Sequence, residues 1–184
     1  MTKPIQEGVQ PRKERPLGVY VHFPFCLHRC PYCDFNVRVV RNIPHEAYTE
    51  AILRELDARA GRFKGRRLVS IYFGGGTPGL WEPECVERVI KAIEDRWSLL
   101  NDPADQALAQ AEGQRRALEV TLEINPRQAP PELLERFRQV GVNRLSVGVQ
   151  SFDAGYLQAL GRDHDHAQAH QTLLDAQAGG WGRV

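Results

Sequence analysis

Four apolar runs, each followed by a stretch with helical spacing, constrain this chain most. The runs fall at residues 17–23, 68–73, 118–124 and 144–149. After the first comes a cysteine-bearing loop and then a helix expected from Pro44, a residue suited to a first helical position. Tyr48, Ile52 and Leu56 line one face of it, and Gly61 is placed to end it. A second helix is expected from Pro83, with Val86, Val89, Ile90, Ile93 and Trp97 turned toward a sheet. Pro130 and Pro131 open a third, carrying Leu133, Leu134, Phe137 and Val140 and closed by Gly141. Two short helical stretches, 153–160 and 165–178, follow the last run. Such alternation implies parallel strands joined by right-handed crossovers. A doubly wound sheet and an arc of a barrel both satisfy it. The barrel is favoured because every chemically suggestive segment lies just after a strand, and in a barrel those ends share one mouth. The fold class expected is therefore α/β, a parallel (β/α) partial barrel with about four units. The chain stops at Val184, where a fifth strand would be due, so a missing C-terminal part is expected.

The loop after the first run reads Cys26-Leu27-His28-Arg29-Cys30-Pro31-Tyr32-Cys33. Three thiolates this close can bind one iron–sulfur cluster. A four-iron cube has four corners, so three cysteines leave one iron open to a small molecule, whereas four usually make a pure electron carrier. The competing reading is a zinc knuckle with His22 or His28 as fourth ligand. Zinc sites usually pair two Cys-x-x-Cys elements, and no second one exists here. Cys85, the only other cysteine, sits at helical spacing beside Val86 and Val89 and reads as a packed core thiol.

The other segments are less specific. Gly74-Gly75-Gly76-Thr77-Pro78 exceeds what a tight turn needs and suggests a backbone that approaches a ligand closely. In Leu122-Glu123-Ile124-Asn125-Pro126, strand alternation puts Glu119, Thr121 and Glu123 on one face. Both faces of a parallel sheet are usually covered, so a carboxylate at its end points to a ligand such as a ribose. Gln150 and Arg162 flank the turn after the fourth strand. Taken alone, Arg162 reads as a surface charge, although a guanidinium also matches a carboxylate through two bonds. His166 and His170, four apart on a helix, read as an exposed polar face.

Composition closes off several classes. The chain has 24 basic and 23 acidic residues and a net charge of +1, so no basic field points to nucleic acid. No run is long enough to span a bilayer. Residues 1–15 are polar and rich in Pro and Lys/Arg, and read as a flexible lead without the apolar stretch of a signal peptide. Residues 98–117 lack apolar periodicity and read as a surface insertion, leaving 16–184 as one domain portion. Four cysteines without an export signal suggest a reducing compartment, here the cytoplasm.

Together these segments resemble the radical S-adenosylmethionine (radical SAM) superfamily. The match runs from Tyr20-Val21-His22-Phe23-Pro24-Phe25-Cys26 through Cys33-Asp34-Phe35. Tyr72 through Pro78, Glu119 through Pro126, Arg144 through Phe152 and Leu160-Gly161-Arg162-Asp163-His164 narrow it. They are similar to the oxygen-independent coproporphyrinogen III oxidase group and its heme-chaperone branch. The resemblance implies a barrel of six strand–helix units, of which four are here. It implies that Cys26, Cys30 and Cys33 hold a four-iron four-sulfur cluster and that SAM chelates the open iron. It further implies Tyr20 and Tyr32 against SAM, Gly75, Gly76 and Thr77 lining its surface, Glu123 at the ribose, and Gln150 and Arg162 at the amino-acid end. In active members an electron from the cluster splits SAM into methionine and a deoxyadenosyl radical, so an electron donor is an implied partner. The oxidases carry an additional cysteine two places after the third. Here that place is Phe35. The implied function is then to bind heme and deliver it to apo-proteins, with coproporphyrinogen oxidation as the alternative and SAM cleavage left open. No heme ligand is assigned.

Overall fold

A computed structural model describes residues 16–97 and 118–184. The expected lead at 1–15 and insertion at 98–117 lie outside the described residues. The strands are β1 (Leu17–Phe23), β2 (Phe25–Cys26), β3 (Arg38–Val39), β4 (Leu68–Gly75), β5 (Glu119–Ile124) and β6 (Arg144–Val147). The helices are α1 (His45–Ala60), α2 (Pro83–Trp97), α3 (Pro131–Gln139), α4 (Ala154–Ala159) and α5 (His166–Ala178).

The main sheet has the order β1-β4-β5-β6, and every pairing is parallel. Spatial order follows chain order without a reversal. A doubly wound sheet reverses at a switch point, so the crossovers here all turn one way and the sheet is an arc of a barrel. The short β2 and β3 form a separate two-stranded parallel ribbon that brackets the cysteine loop.

Alternation divides each strand between two layers. Val21, Phe23, Ile71, Phe73, Val120, Leu122 and Ile124 are buried and join one core with Val86, Val89, Ile90, Ile93 and Trp97 of α2 and with Leu134 and Phe137 of α3. Under the cysteine loop this core is aromatic. Phe23 stacks on Trp81 with centroids 5.0 Å apart, and Phe25 and Tyr48 meet Phe23 edge-on at 5.2 and 5.9 Å. Tyr48 also donates its hydroxyl to the carbonyl of His22. The backbone leading into Cys26 is thus held on three sides by rigid rings.

Gly61 does not end α1 in a left-handed conformation. Its φ of −60° and ψ of −28° are helical, the chain tightens into a single 3₁₀ turn (Gly61–Phe63), and the left-handed glycine is Gly65 at φ +78°. Gly141, at φ +104°, does close α3 as expected. Strand β4 runs two residues further than the apolar pattern, through Gly74 and Gly75, because both pair with β1 opposite His22 and Phe23. On the other side of β6, Leu145 donates its backbone N–H to the carbonyl of Arg183 at 3.1 Å. No described helix is long and apolar enough to cross a membrane.

Candidate functional site

The C-terminal ends of β2, β4, β5 and β6 open onto one cleft of about 340 Å³. That size lies in the range of small-molecule sites. Cys26, Cys30, Tyr32, Cys33, Gly75, Gly76, Thr77, Glu123, Gln150 and Arg162 all line it, so ten of the eleven expected site residues converge. Tyr20 does not line it. It projects from β1 on the inner face, 58% exposed, stacked on Tyr72 at 6.0 Å.

The three sulfurs share one wall. Cys26 is buried at the end of β2, while Cys30 and Cys33 are half-buried in the loop beyond it. Cys33 donates its backbone N–H to the Cys30 carbonyl at 3.0 Å, the close of a tight turn. Burial pushes the Cys26 thiol up, the neighbouring Cys33 and Cys30 push the same way, and the Thr77 hydroxyl 3.7 Å from its sulfur pulls down. Three soft donors facing one space suit an iron–sulfur cluster or zinc. A closed zinc site needs a fourth donor. His22 cannot serve, because its Nδ1 meets the Tyr20 hydroxyl (3.2 Å) and its Nε2 the Asn36 carbonyl (2.9 Å). Cys85 is buried behind the sheet, with Glu46 of α1 as its 3.6 Å neighbour. His28, exposed on the same loop at the cleft wall, remains available as a fourth zinc donor; the three thiols by themselves fit a cluster with one corner free.

The glycine run forms the floor. Gly76 donates its N–H to the Phe23 carbonyl (2.7 Å) and Thr77 to the Phe25 carbonyl (2.9 Å), which bolts β4's end to the cysteine segment. A Cβ on Gly76 would stand 3.0 Å from the Cys26 sulfur, and one on Gly75, at φ +114°, only 2.5 Å from the His22 ring. Only glycines leave room there.

Glu123 faces the cleft from β5. Its carboxylate accepts from the Tyr72 hydroxyl at 2.7 Å and from the Gly75 backbone N–H at 3.1 Å. Burial raises the Tyr72 phenol, and the Glu123 charge adds to it, keeping the proton that the bond needs.

Arg162 is no surface charge. Its Nη1 approaches the Cys30 sulfur (3.4 Å) and the Tyr32 hydroxyl (3.1 Å), and its Nη2 donates to Asn125 Oδ1 and the Gly148 carbonyl, both at 2.8 Å. Its Nε is buried without a partner among the described residues. One guanidinium thus joins the cysteine loop to the ends of β5 and β6. Asn125 was missed as a site residue. It also donates to Thr77 Oγ1 at 3.3 Å, and its sole signal was a polar residue directly after a strand. Gln150 is exposed and holds φ +65°, the one positive φ among described non-glycine residues. His166 and His170 are exposed on α5 as expected, and His28 is exposed at the cleft wall.

The chain matches the family model described as "Radical SAM superfamily" over residues 20–184. It is 39% identical over 167 residues to "Radical S-adenosyl methionine domain-containing protein 1, mitochondrial" of Danio rerio, covering 91% of this chain and 34% of that protein. It is 35% identical over 170 residues to "Heme chaperone HemW" of Haemophilus influenzae, covering 90% and 40%. Among solved structures it resembles coproporphyrinogen III oxidase (HemN) of Escherichia coli, with TM-score 0.73, 30% identity, and coverage of 92% of this chain and 36% of that one. The chain thus spans between a third and two fifths of the length of these curated relatives.

Proposed function

The chain belongs to the radical SAM superfamily, and from that premise we propose that it holds a four-iron four-sulfur cluster and SAM in the service of binding heme and passing it to apo-proteins. The observation that carries the first half is the convergence of three thiols, a glycine floor, Glu123 and Arg162 on one cleft. The HemW name of several relatives supports the second half. So does the exposed Phe35, lining the cleft where the oxidase pattern has a further cysteine.

In this reading Cys26, Cys30 and Cys33 ligate three irons. A bound cluster supplies an electron to SAM, and every other task falls to the chain. Gly75, Gly76 and Thr77 offer backbone against which SAM lies. Glu123 accepts from ribose hydroxyls with the oxygen lone pairs that Tyr72 and Gly75 leave free. Arg162 and Gln150 take the carboxylate end, and Tyr32 packs beside them. Tyr20 acts from the inner face, beside Gly74 and Glu123. The partners are then a heme or porphyrin, the recipient apo-proteins and an electron donor. A cytoplasmic setting belongs to the same proposal.

The test begins with anaerobic reconstitution. SAM should alter the paramagnetic resonance signal of the reduced cluster. Heme titrated into the intact gene product should bind stoichiometrically, and coproporphyrinogen III should not be converted. Conversion would replace the chaperone reading with the oxidase one, and zinc uptake without a cluster would end both. Arg162→Ala is expected to weaken SAM binding about a hundredfold, the scale of a lost charge-assisted contact to a carboxylate, with iron content unchanged. Unchanged affinity, measured by the same resonance titration, would remove Arg162 from the SAM site.

A further inference from the structure

His164 lies two residues beyond Arg162, and the SAM reading gives it no task. Its side chain is wholly buried. The Val149 carbonyl 3.0 Å from Nε2 can only accept, so Nε2 carries the proton and Nδ1 is a bare lone pair. That Nδ1 is buried and has no partner among the described residues. A buried polar atom left without a partner asks for an explanation.

What His164 grips explains it. Val149 precedes Gln150, whose left-handed φ of +65° is unfavourable for a side chain with a Cβ. Such a conformation persists where its surroundings over-determine it. Here the Val149 carbonyl also accepts from the Ser151 N–H (2.8 Å), and the Gly148 carbonyl just before it accepts from Arg162 (2.8 Å). One short turn, 161–164, therefore holds both carbonyls of the loop that ends in Gln150. The turn is itself fixed: Gly161, at φ +62°, lies against Pro31 of the cysteine loop, and Asp165 caps α5 through Gln168.

We propose that His164 is a positioning residue that holds the Gly148–Gln150 backbone in its left-handed turn, so that Gln150 and Arg162 present one polar surface to the carboxylate end of SAM. The inference rests on the SAM reading above. It makes the site acid-sensitive. Protonation would put a hydrogen on Nδ1, where Asp163 Oδ1, 3.9 Å away, is the nearest acceptor. That carboxylate now accepts from Gln128 at 3.3 Å, and Arg127 donates to the Asp163 carbonyl at 3.3 Å, so re-pairing would twist the turn that carries Arg162. The other charges in range are Arg162, which opposes protonation, and Asp165, which favours it. Burial holds the imidazole below its ordinary range, so it is neutral near pH 7 and charges only on acidification.

SAM affinity and iron content are measured together on the reconstituted protein from about pH 7.5 down to about pH 5.5, with His164→Gln and His164→Leu. The wild type should bind SAM evenly at the upper end and progressively more weakly on acidification, with iron retained. His164→Gln keeps an N–H near the Nε2 position and cannot titrate. It should match the wild type within about twofold at neutral pH and lose the acid dependence. His164→Leu should weaken SAM about tenfold at neutral pH without loss of iron. A His164→Gln profile that still falls with acid would overturn the proposal. So would a His164→Leu protein that binds SAM normally, or one that loses iron and SAM in parallel. A wild type that binds no SAM would instead refute the parent reading.

Discussion

Cys30→Ser is expected to hold fewer than about one iron per chain after anaerobic reconstitution, against about four for the wild type, and to lose the brown colour of the cluster. The expectation follows because no fourth thiol lines the cleft among the described residues, and the exposed His28 is a harder ligand than the thiolate it would replace. Both His22 nitrogens are taken, Cys85 is buried against Glu46, and a serine hydroxyl is a far harder ligand than a thiolate. The fold should survive. Cys30 is half-buried in a loop outside the aromatic core, and Arg162 keeps Tyr32, Asn125 and Gly148 as partners when the sulfur goes. The apo-protein should therefore melt within about 2 °C of wild type, the range of a substitution worth about 0.5 kcal/mol. A full iron complement in Cys30→Ser, by chemical iron assay, would mean that another group holds that corner.

The cysteines were legible because their chemistry depends on spacing along a few consecutive residues. So were the elements, since period-two and period-3.6 patterns are local. Sheet order was legible only indirectly, through the placement of every chemically suggestive segment just after a strand, which favoured the barrel arc that the order β1-β4-β5-β6 bears out. Whether a crossover turns left or right along the sheet depends on which neighbour a strand finds, and β5 looks the same in either arrangement. Arg162 shows the same limit within the site. Its short local sequence reads as a solvated charge, and only its partners, 132 residues back at Cys30 and 37 back at Asn125, make it a hub. Asn125 and His164 went unassigned for that reason: each acts on backbone or side chains that folding alone brings near. Gly61 misled in the opposite sense. A glycine after a helical run suggests a left-handed stop, but the chain makes that turn four residues later at Gly65.

Gly76→Ala should cost about 3 kcal/mol of stability, at the upper end of overpacking effects, and should lower cluster occupancy as well. The added methyl would stand 2.6 Å from the Phe25 carbonyl and 3.0 Å from both the Phe23 carbonyl and the Cys26 sulfur. Two of those three are backbone, and that backbone cannot retreat, because Phe23 and Phe25 are wedged against Tyr48 and Trp81. The strain must instead break the Gly76–Phe23 and Thr77–Phe25 hydrogen bonds that set Cys26 on the cleft wall. Stability and iron should therefore fall together, unlike in Cys30→Ser, where iron alone is lost. Gly61→Ala is the control: its φ is already helical and a Cβ there meets nothing within 4 Å, so it should gain about 0.5 kcal/mol by stiffening the unfolded chain. Denaturant melts of the two apo-proteins beside their iron content decide the matter. A Gly76→Ala protein as stable and as iron-rich as wild type would show that the floor of the cleft yields, and that the close approach of β4 to Cys26 is not what fixes the cluster site.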